Sequence, residues 1–419
     1  MNKEEHPGLY IHVPFCRSKC LYCDFYSVAS AASVPEWLNA VQREVLLYKE
    51  KFHAFDSLYL GGGTPTVLGE RELAALLGCV RKHFTFCPGS ETTMEANPEG
   101  LSGDRLKAIR DLGVNRVSLG VQSLDDRDLQ YLGRRHTSKR ALLALDMVRA
   151  AGFANVGVDL MYGLETQSMQ GWKRTVDRVL EYRPEHLSCY QLTFERGAAF
   201  WKMKADGRVR PIADKLERAF FIWTSRYLER RGYHHYEISN FARGREFMSR
   251  HNRKYWDHTP YLGLGPSAHS FQAGSRWWNV RSIKKYCQLI AEGKSPIESS
   301  EVLSEEQLDL ESLYLGLRTS DGVDLHALGG GSGIGKVLEE LQKSGNAVDD
   351  LQKMDKAFDE SRQMGLVSVN DGRMQELRKM CKALAELQKS GLINVNGGRM
   401  QPTRKGFLVA DSLPLMFYD

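Results

Sequence analysis

Cys16, Cys20 and Cys23 share one loop, HVPFCRSKCLYCDFYS, with the spacing C-x3-C-x2-C, directly after the apolar stretch Leu9–Val13. Three thiolates that close can each take one iron of a cubic 4Fe-4S cluster. Such clusters normally have four cysteine ligands, so a fourth iron without a protein donor is an open coordination site. Thiolates also suit zinc, which stays as the alternative. Structural zinc sites usually draw their ligands as two separated pairs, and no second CxxC pair occurs among Cys79, Cys87, Cys189, Cys287 and Cys381. The spacing favours the cluster, and the scattered cysteines read as buried free thiols.

Other residues of chemical interest follow at the ends of apolar runs. In LGGGTPT, Gly61, Gly62 and Gly63 let backbone approach a ligand closely, and Thr64 adds a hydroxyl. The run lacks the Lys-Ser/Thr of a P-loop and the GxGxxG spacing, and a tight strand-to-helix turn is the plainer alternative. Glu95, in TTMEANPE, closes a third apolar run, where an inward carboxylate is costly unless paired. Asn97-Pro98 reads as a helix-entry turn. Farther on, HNRKYW places His251 and Asn252 near Tyr255 and Trp256. A neutral imidazole is a common axial ligand of heme iron, and the two rings supply apolar area beside it. A buried polar knot with a core Trp fits the same residues.

These residues need elements to hold them. Strand-like runs at Leu9–Val13, Ser57–Leu60, Thr92–Glu95, Arg116–Leu119, Val156–Met161 and Leu187–Leu192 alternate with helical patterns at Pro35–Tyr48, Glu70–His83, Gly103–Leu112, Ser138–Ala151 and Gln170–Tyr182. Such alternation predicts a parallel sheet with right-handed crossovers. It fits a partial (β/α)6 barrel or, from periodicity alone, a full eight-stranded one; in either, chemistry belongs at the C-terminal strand ends. The chain has 419 residues, of which 42% are apolar and 26% charged, with a formal charge of +5. Two or more globular domains are expected, and so mild a basic excess does not by itself imply nucleic acid or an anionic membrane. The start, MNKEEHPG, lacks the apolar core of a signal peptide, and no stretch is long and apolar enough to span a bilayer. A reducing cytoplasm suits free thiols.

Taken together, LYIHVPFCRSKCLYCDFYS, LYLGGGTPT, TMEANPE, RVSLGVQSLDD, LGRRH, VGVDLMYGL, HLSCYQLT, HNRKYW and YLGLGPSAHS resemble the radical S-adenosylmethionine (SAM) superfamily, in the branch of oxygen-independent coproporphyrinogen III oxidases and related heme chaperones. The resemblance runs from residue 9 to 271. It implies the partial barrel, a 4Fe-4S cluster on Cys16, Cys20 and Cys23, and SAM at the open iron. It places Tyr10, Gly62 and Glu95 at a first SAM, and Tyr22, Gly63, Thr64, Gln122, Arg134 and Asp159 at a second. A ribose diol suits carboxylate or amide partners and the SAM carboxylate a guanidinium. A satisfied polar cluster and a surface ion pair are the alternatives for the last three.

The oxidases of that branch carry a further cysteine two residues after the third ligand, where this chain has Asp24-Phe25. The departure resembles the chaperones, which bind heme and pass it to acceptor hemoproteins, and their HNxxYW motif matches His251, Asn252, Tyr255 and Trp256. The competing expectations are a radical SAM enzyme acting on a tetrapyrrole, of oxidase or anaerobic heme-degrading methyltransferase type, and a zinc-stapled binding protein. His269 is a second candidate ligand. Arg276-Trp277-Trp278 and Arg281 could meet heme propionates or form an ordinary core edge. Homodimerisation and peripheral association with the inner membrane are further expectations, with no nucleic-acid partner.

The expected division is a barrel over 1–215, a heme-binding extension over 216–300, and a helical C-terminal domain over 301–419 with a winged-helix-like tail. Gly263, Gly265 and Pro266 read as a loop carrying the extension to the barrel mouth, and GGGSGIG at 329–335 as a flexible insert. GLVSVNDGRMQ at 365–375 recurs as GLINVNGGRMQ at 391–401, and each copy reads as strand, turn and strand.

Overall fold

Alternate residues of β1 (Gly8–Val13) have different fates, and this sets the architecture. Leu9, Ile11 and Val13 are fully buried in the main apolar core, whereas Tyr10 and His12 point to the other face of the strand. The computed structural model describes residues 6–417 except 53, 326, 328–378 and 380–381. From β1 the chain alternates through α1 (Val34–Tyr48), β2 (Ala54–Gly62), α2 (Glu70–His83), β3 (Thr85–Ala96), α3 (Gly103–Asp111), β4 (Arg116–Gln122), α4 (Asp126–Tyr131), α5 (Ser138–Ala150), β5 (Asn155–Tyr162), α6 (Met169–Leu180) and β6 (His186–Gln191). These strands pair in sequence order, every pair parallel. Side chains of Ser102, Thr137 and Ser168 each accept a backbone N–H at the start of α3, α5 and α6, contacts worth about 1 kcal/mol apiece.

After α7 (Ala199–Ala205) and α8 (Asp214–Arg230) the chain crosses at β7 (His234–His235) from the first of two structural units to the second, and returns at Ser239. Within the first unit, β8 (Asn240–Ala242) runs antiparallel beside β6. On the other side of the sheet, β9 (Tyr261–Leu264) pairs parallel with β1, and β10 (His269–Gln272), β11 (Ser275–Asn279) and β12 (Ile297–Val302) continue antiparallel. The strand order is β12-β11-β10-β9-β1-β2-β3-β4-β5-β6-β8, an open sheet whose parallel centre is the expected six-unit partial barrel rather than a closed eight-stranded one. Gly263 is therefore part of this sheet and not of a connecting loop. Gly265 takes φ +94°, and a Cβ there would lie 2.7 Å from the His12 carbonyl oxygen.

One buried carboxylate ties α1 to this extension. Glu44 accepts from Tyr286 Oη at 2.5 Å, Asn279 Nδ2 at 2.6 Å and Gly265 N at 2.8 Å. Tyr286 lies on α10 (Ile283–Ala291). Burial outweighs these donors and pushes the Glu44 pKa up to about 7.

The second unit comprises 235–238, 255–258 and 303–419. It holds α11 (Glu305–Gly316), opened by a capping box between Ser304 and Gln307, and an antiparallel sheet in the order β13 (Val323–Asp324), β15 (Arg399–Pro402), β14 (Ile393–Asn396). A helical stretch at 382–389 precedes the β14–β15 hairpin, whose turn uses Gly397 and Gly398 at φ 57° and 72°. This is the helix-then-wing order expected of the second copy of the sequence repeat. The first copy and the glycine-rich 329–335 lie outside the described residues. Residues 216–300 fall in the first unit apart from the two short excursions, and those excursions divide HNxxYW: His251 and Asn252 belong to the first unit, Tyr255 and Trp256 to the second.

Candidate functional site

The cysteine loop starts where β1 ends. Cys16 N donates to Val28 O, Val28 N to Pro14 O, and Cys23 N to Cys20 O, so the loop closes on its own base. From outside it is held by Leu21 N to Leu132 O and by Phe200 N to Leu21 O. Leu21 and Tyr22 pack on a small apolar cluster that contains Leu132, Met161 and Phe200. The three thiols are free and half-buried. Burial pushes the Cys23 thiol up to about 11, with the neighbouring Cys20 and Cys16 adding to the shift.

Strand ends supply hydrogen bonds to this loop. Thr64 Oγ1 donates to Cys16 Sγ at 3.5 Å and accepts from Asn97 Nδ2 at 2.9 Å. Asn97 Oδ1 accepts from Arg134 Nη2 at 2.5 Å. Arg134 completes the chain, with Nη1 3.4 Å from Cys20 Sγ and 3.5 Å from Tyr22 Oη, and Nη2 2.8 Å from Gly120 O. One continuous path thus joins two cysteines through β2, β3 and the loop after α4. Burial depresses the charged form of Arg134, but Tyr22, Cys20 and Glu99 outweigh it and keep the guanidinium charged. Its Nε is buried without a hydrogen-bond partner. Gln122 adjoins this group through a bulge: at φ 64° it interrupts the β4–β5 register, and its Nε2 lies 3.1 Å from where a Gly120 Cβ would sit.

Two carboxylates form the inner wall. Glu95 accepts from Tyr59 Oη at 2.9 Å and from Gly62 N at 3.2 Å. Burial is the main reason its pKa rises to about 7, and the charge of Asp159 adds to it. Asp159 accepts from Ser118 Oγ and is likewise raised by burial. The glycine run is demanded by packing. A Cβ on Gly61 would meet Glu95 at 2.8 Å, one on Gly62 the His12 ring at 2.4 Å, and one on Gly63 the Val13 carbonyl at 2.6 Å. Beside them Tyr10 Oη lies 3.1 Å from His12 Nδ1, and His12 Nε2 is 2.8 Å from Tyr26 O. Burial lowers the His12 pKa to about 4, so the ring is neutral.

The first unit therefore brings Tyr10, Tyr22, Gly62, Gly63, Thr64, Glu95, Gln122, Arg134 and Asp159 to the inner face and C-terminal ends of neighbouring strands, around the cysteine loop. Reading the sequence missed Asn97, Tyr59 and His12. Tyr59 and His12 share the inner face with Tyr10 by period-two alternation and β1–β2 register, a signal that was present. Asn97 has no such signal, because it was absorbed into a turn.

The HNxxYW residues lie elsewhere. His251 sits on α9 (Arg250–Arg253), is only 1% exposed, and its ring packs 5.9 Å from Tyr10 and 5.3 Å from Tyr59, with Nδ1 3.5 Å from Ser57 Oγ. Burial lowers its pKa to about 3. Asn252 N caps onto Ser249 Oγ. In the second unit, Trp256 lies under the Arg318 guanidinium, 5.4 Å from the ring centre.

The donor set fits an iron-sulfur cluster. Hydrogen bonds to two of the three sulfurs, together with a fixed guanidinium, offset the negative charge that cluster thiolates carry. Among the described residues no group of three or more His, Cys, Asp or Glu side chains is arranged as a metal-ion site.

Comparison with known proteins agrees. Residues 10–179 match the model of the radical SAM superfamily. The chain is 38% identical over 320 residues to the heme chaperone HemW of Bacillus subtilis (strain 168), covering 75% of this chain and 84% of that protein. The chain belongs to the HemW family. A HemW from Mycobacterium tuberculosis (strain H37Rv) is also 38% identical, over 330 residues, covering 77% of this chain and 84% of its own. In fold, this HemW-family chain is similar to the coproporphyrinogen III oxidase HemN of Escherichia coli, a radical SAM enzyme, with a TM-score of 0.76 and 23% identity over 99% of this chain and 90% of that one.

Proposed function

We propose that this protein is a heme chaperone on a radical SAM scaffold, binding a 4Fe-4S cluster, SAM and heme, and delivering heme to acceptor hemoproteins. The observation that carries it is the C-x3-C-x2-C loop whose thiols are hydrogen-bonded from the strand ends by Thr64 and Arg134, in a chain of the HemW family. Cys16, Cys20 and Cys23 hold the cluster, which supplies an open iron site and a one-electron donor. Arg134, charged and with Nε unsatisfied, sits ready for a carboxylate. Glu95, Tyr10 and Gly62 take one SAM, with Glu95 facing its ammonium group. Tyr22, Gly63, Thr64, Gln122, Arg134 and Asp159 line the place for a second. Phe25, where the oxidases have a cysteine, favours transfer over porphyrinogen oxidation. The HNxxYW segment contributes to heme handling, and ligation through His251 requires its ring to leave the tyrosine pair. A reducing cytoplasm suits cysteines without disulfides and an oxygen-sensitive cluster. Among the described residues no helix is long and apolar enough to cross a membrane.

The test is anaerobic reconstitution with iron and sulfide, followed by parallel additions of SAM, heme and coproporphyrinogen III. Brown protein that takes up stoichiometric heme without altering any tetrapyrrole is the expected result. Substrate-dependent 5′-deoxyadenosine together with a tetrapyrrole mass change would overturn it in favour of an enzyme.

A further inference from the structure

The inner face of the barrel continues past β1, and strand register shows what stands on it. Tyr10 pairs with Gly263 and Gly8 with Tyr261 across β1–β9. Tyr261 pairs with Phe271, Phe271 with Arg276, and His269 with Trp278. Paired residues share a face and faces alternate with period two, so His269 and Trp278 stand on the same face as Tyr10. Trp277 confirms the parity: it turns the other way, stacking on Tyr48 of α1 at 6.4 Å.

Direction places the pair along the barrel axis. β9 is parallel to β1 and β10 is antiparallel to β9, so His269, at the start of β10, lies at the strand end from which the cysteine loop leaves. Arg281 reinforces this by donating from Nη2 to the carbonyl of Asp24, beside Cys23, at 2.7 Å. His269 is exposed and stacks on Trp278, centroids 5.8 Å apart and planes 24° apart. Phe25 is 64% exposed on the cysteine loop, and the Arg281 side chain is 55% exposed. Partial burial of the ring, then Arg276 and Arg281, hold the His269 pKa below its ordinary value.

We propose that His269 and Trp278 form the docking site for an iron tetrapyrrole, with His269 as the nitrogen donor to iron, Trp278 and Phe25 as apolar ring surface, and Arg281 as partner for a propionate. The assignment rests on the heme-binding reading above and supplies the accessible ligand that reading lacks, since the His251 ring is enclosed.

Hemin titration of the full-length protein, followed by visible and EPR spectra, tests it on wild type, H269A, W278A and H251A. H269A is expected to lose the histidine-ligated spectrum and weaken uptake about tenfold or more. Added imidazole restores the spectrum and W278A weakens uptake less, whereas loss of the histidine-ligated spectrum in H251A but not in H269A would overturn the site. Iron and sulfide content after reconstitution, unchanged in H269A, reports an intact fold. A wild-type spectrum in H269A overturns the site and leaves the heme reading standing. Failure of the wild type to take up hemin overturns both.

Discussion

The two ends of the same parallel sheet treat buried charge in opposite ways. At the N-terminal ends of the strands, Arg116 lies 3.7 Å from Glu91, both almost fully buried, and it also donates to Phe247 O at 2.8 Å. Glu91 accepts from Arg250 N at 3.0 Å, and Lys254 holds Asp56 at 2.8 Å, so the α9 segment closes that end with partners from the protein itself. At the C-terminal ends, two carboxylates have pKa values pushed up by burial, a guanidinium keeps an unpartnered Nε, and three cysteines form no disulfide, two of their sulfurs accepting hydrogen bonds. Charges of the first kind hold the fold together. Charges of the second kind are only partly partnered by the protein, and perturbed groups of that sort collect at functional sites.

The largest effect should come from replacing Cys16, Cys20 and Cys23 together with Ala. Bound iron and sulfide should fall to background while the circular dichroism spectrum stays that of the wild type. Loss of secondary structure instead would mean that the loop belongs to the structural end of the comparison. Next comes an exchange of arginines. Arg116→Met strands Glu91 and should cost about 3–5 kcal/mol in denaturant unfolding, the usual range for breaking a buried pair. Arg134→Met should cost far less stability and instead weaken SAM binding, on the order of tenfold. The reverse pattern would collapse the distinction between the two ends.

The smallest and sharpest effect concerns pH. The folded pKa of Glu95, about 7, exceeds its unfolded value. Its favourable contribution to stability is therefore full below the ordinary carboxylate range and is lost as pH rises through about 7. An ammonium ligand needs the ionised form, so SAM affinity should rise from pH 6 to pH 8, by up to about tenfold per unit below the pKa. Isothermal titration across that range checks it. Glu95→Gln should flatten the dependence, and an unchanged slope would remove Glu95 from the ammonium site.

Much of the scaffold was legible because local patterns encode it. The run LYIHV alternates core and inner-face residues, and the observed α1, α2 and α6 begin within one residue of the helices read from spacing. The extension resisted reading: YLGL is too short, and interrupted by Gly263, to signal a strand, yet pairing with β1 makes it one. Asn97 was hidden in a turn signal. Its partners Thr64 and Arg134 lie 33 and 37 residues away, and only the parallel register of β2, β3 and β4 brings them to it. HNxxYW looked like a single unit, but its His belongs to the plug beneath the tyrosines and its Trp to another unit.

The sequence by itself determined which three thiols can share a cluster, because a loop of eight residues cannot carry them apart. It also determined that strands and helices would alternate, because side-chain periodicity is a property of neighbouring residues. Only the tertiary structure decided which polar groups meet, which histidine is enclosed and which is open, and which charges are left for a ligand. Those outcomes depend on strand register and burial, and both are set by residues far apart in the chain.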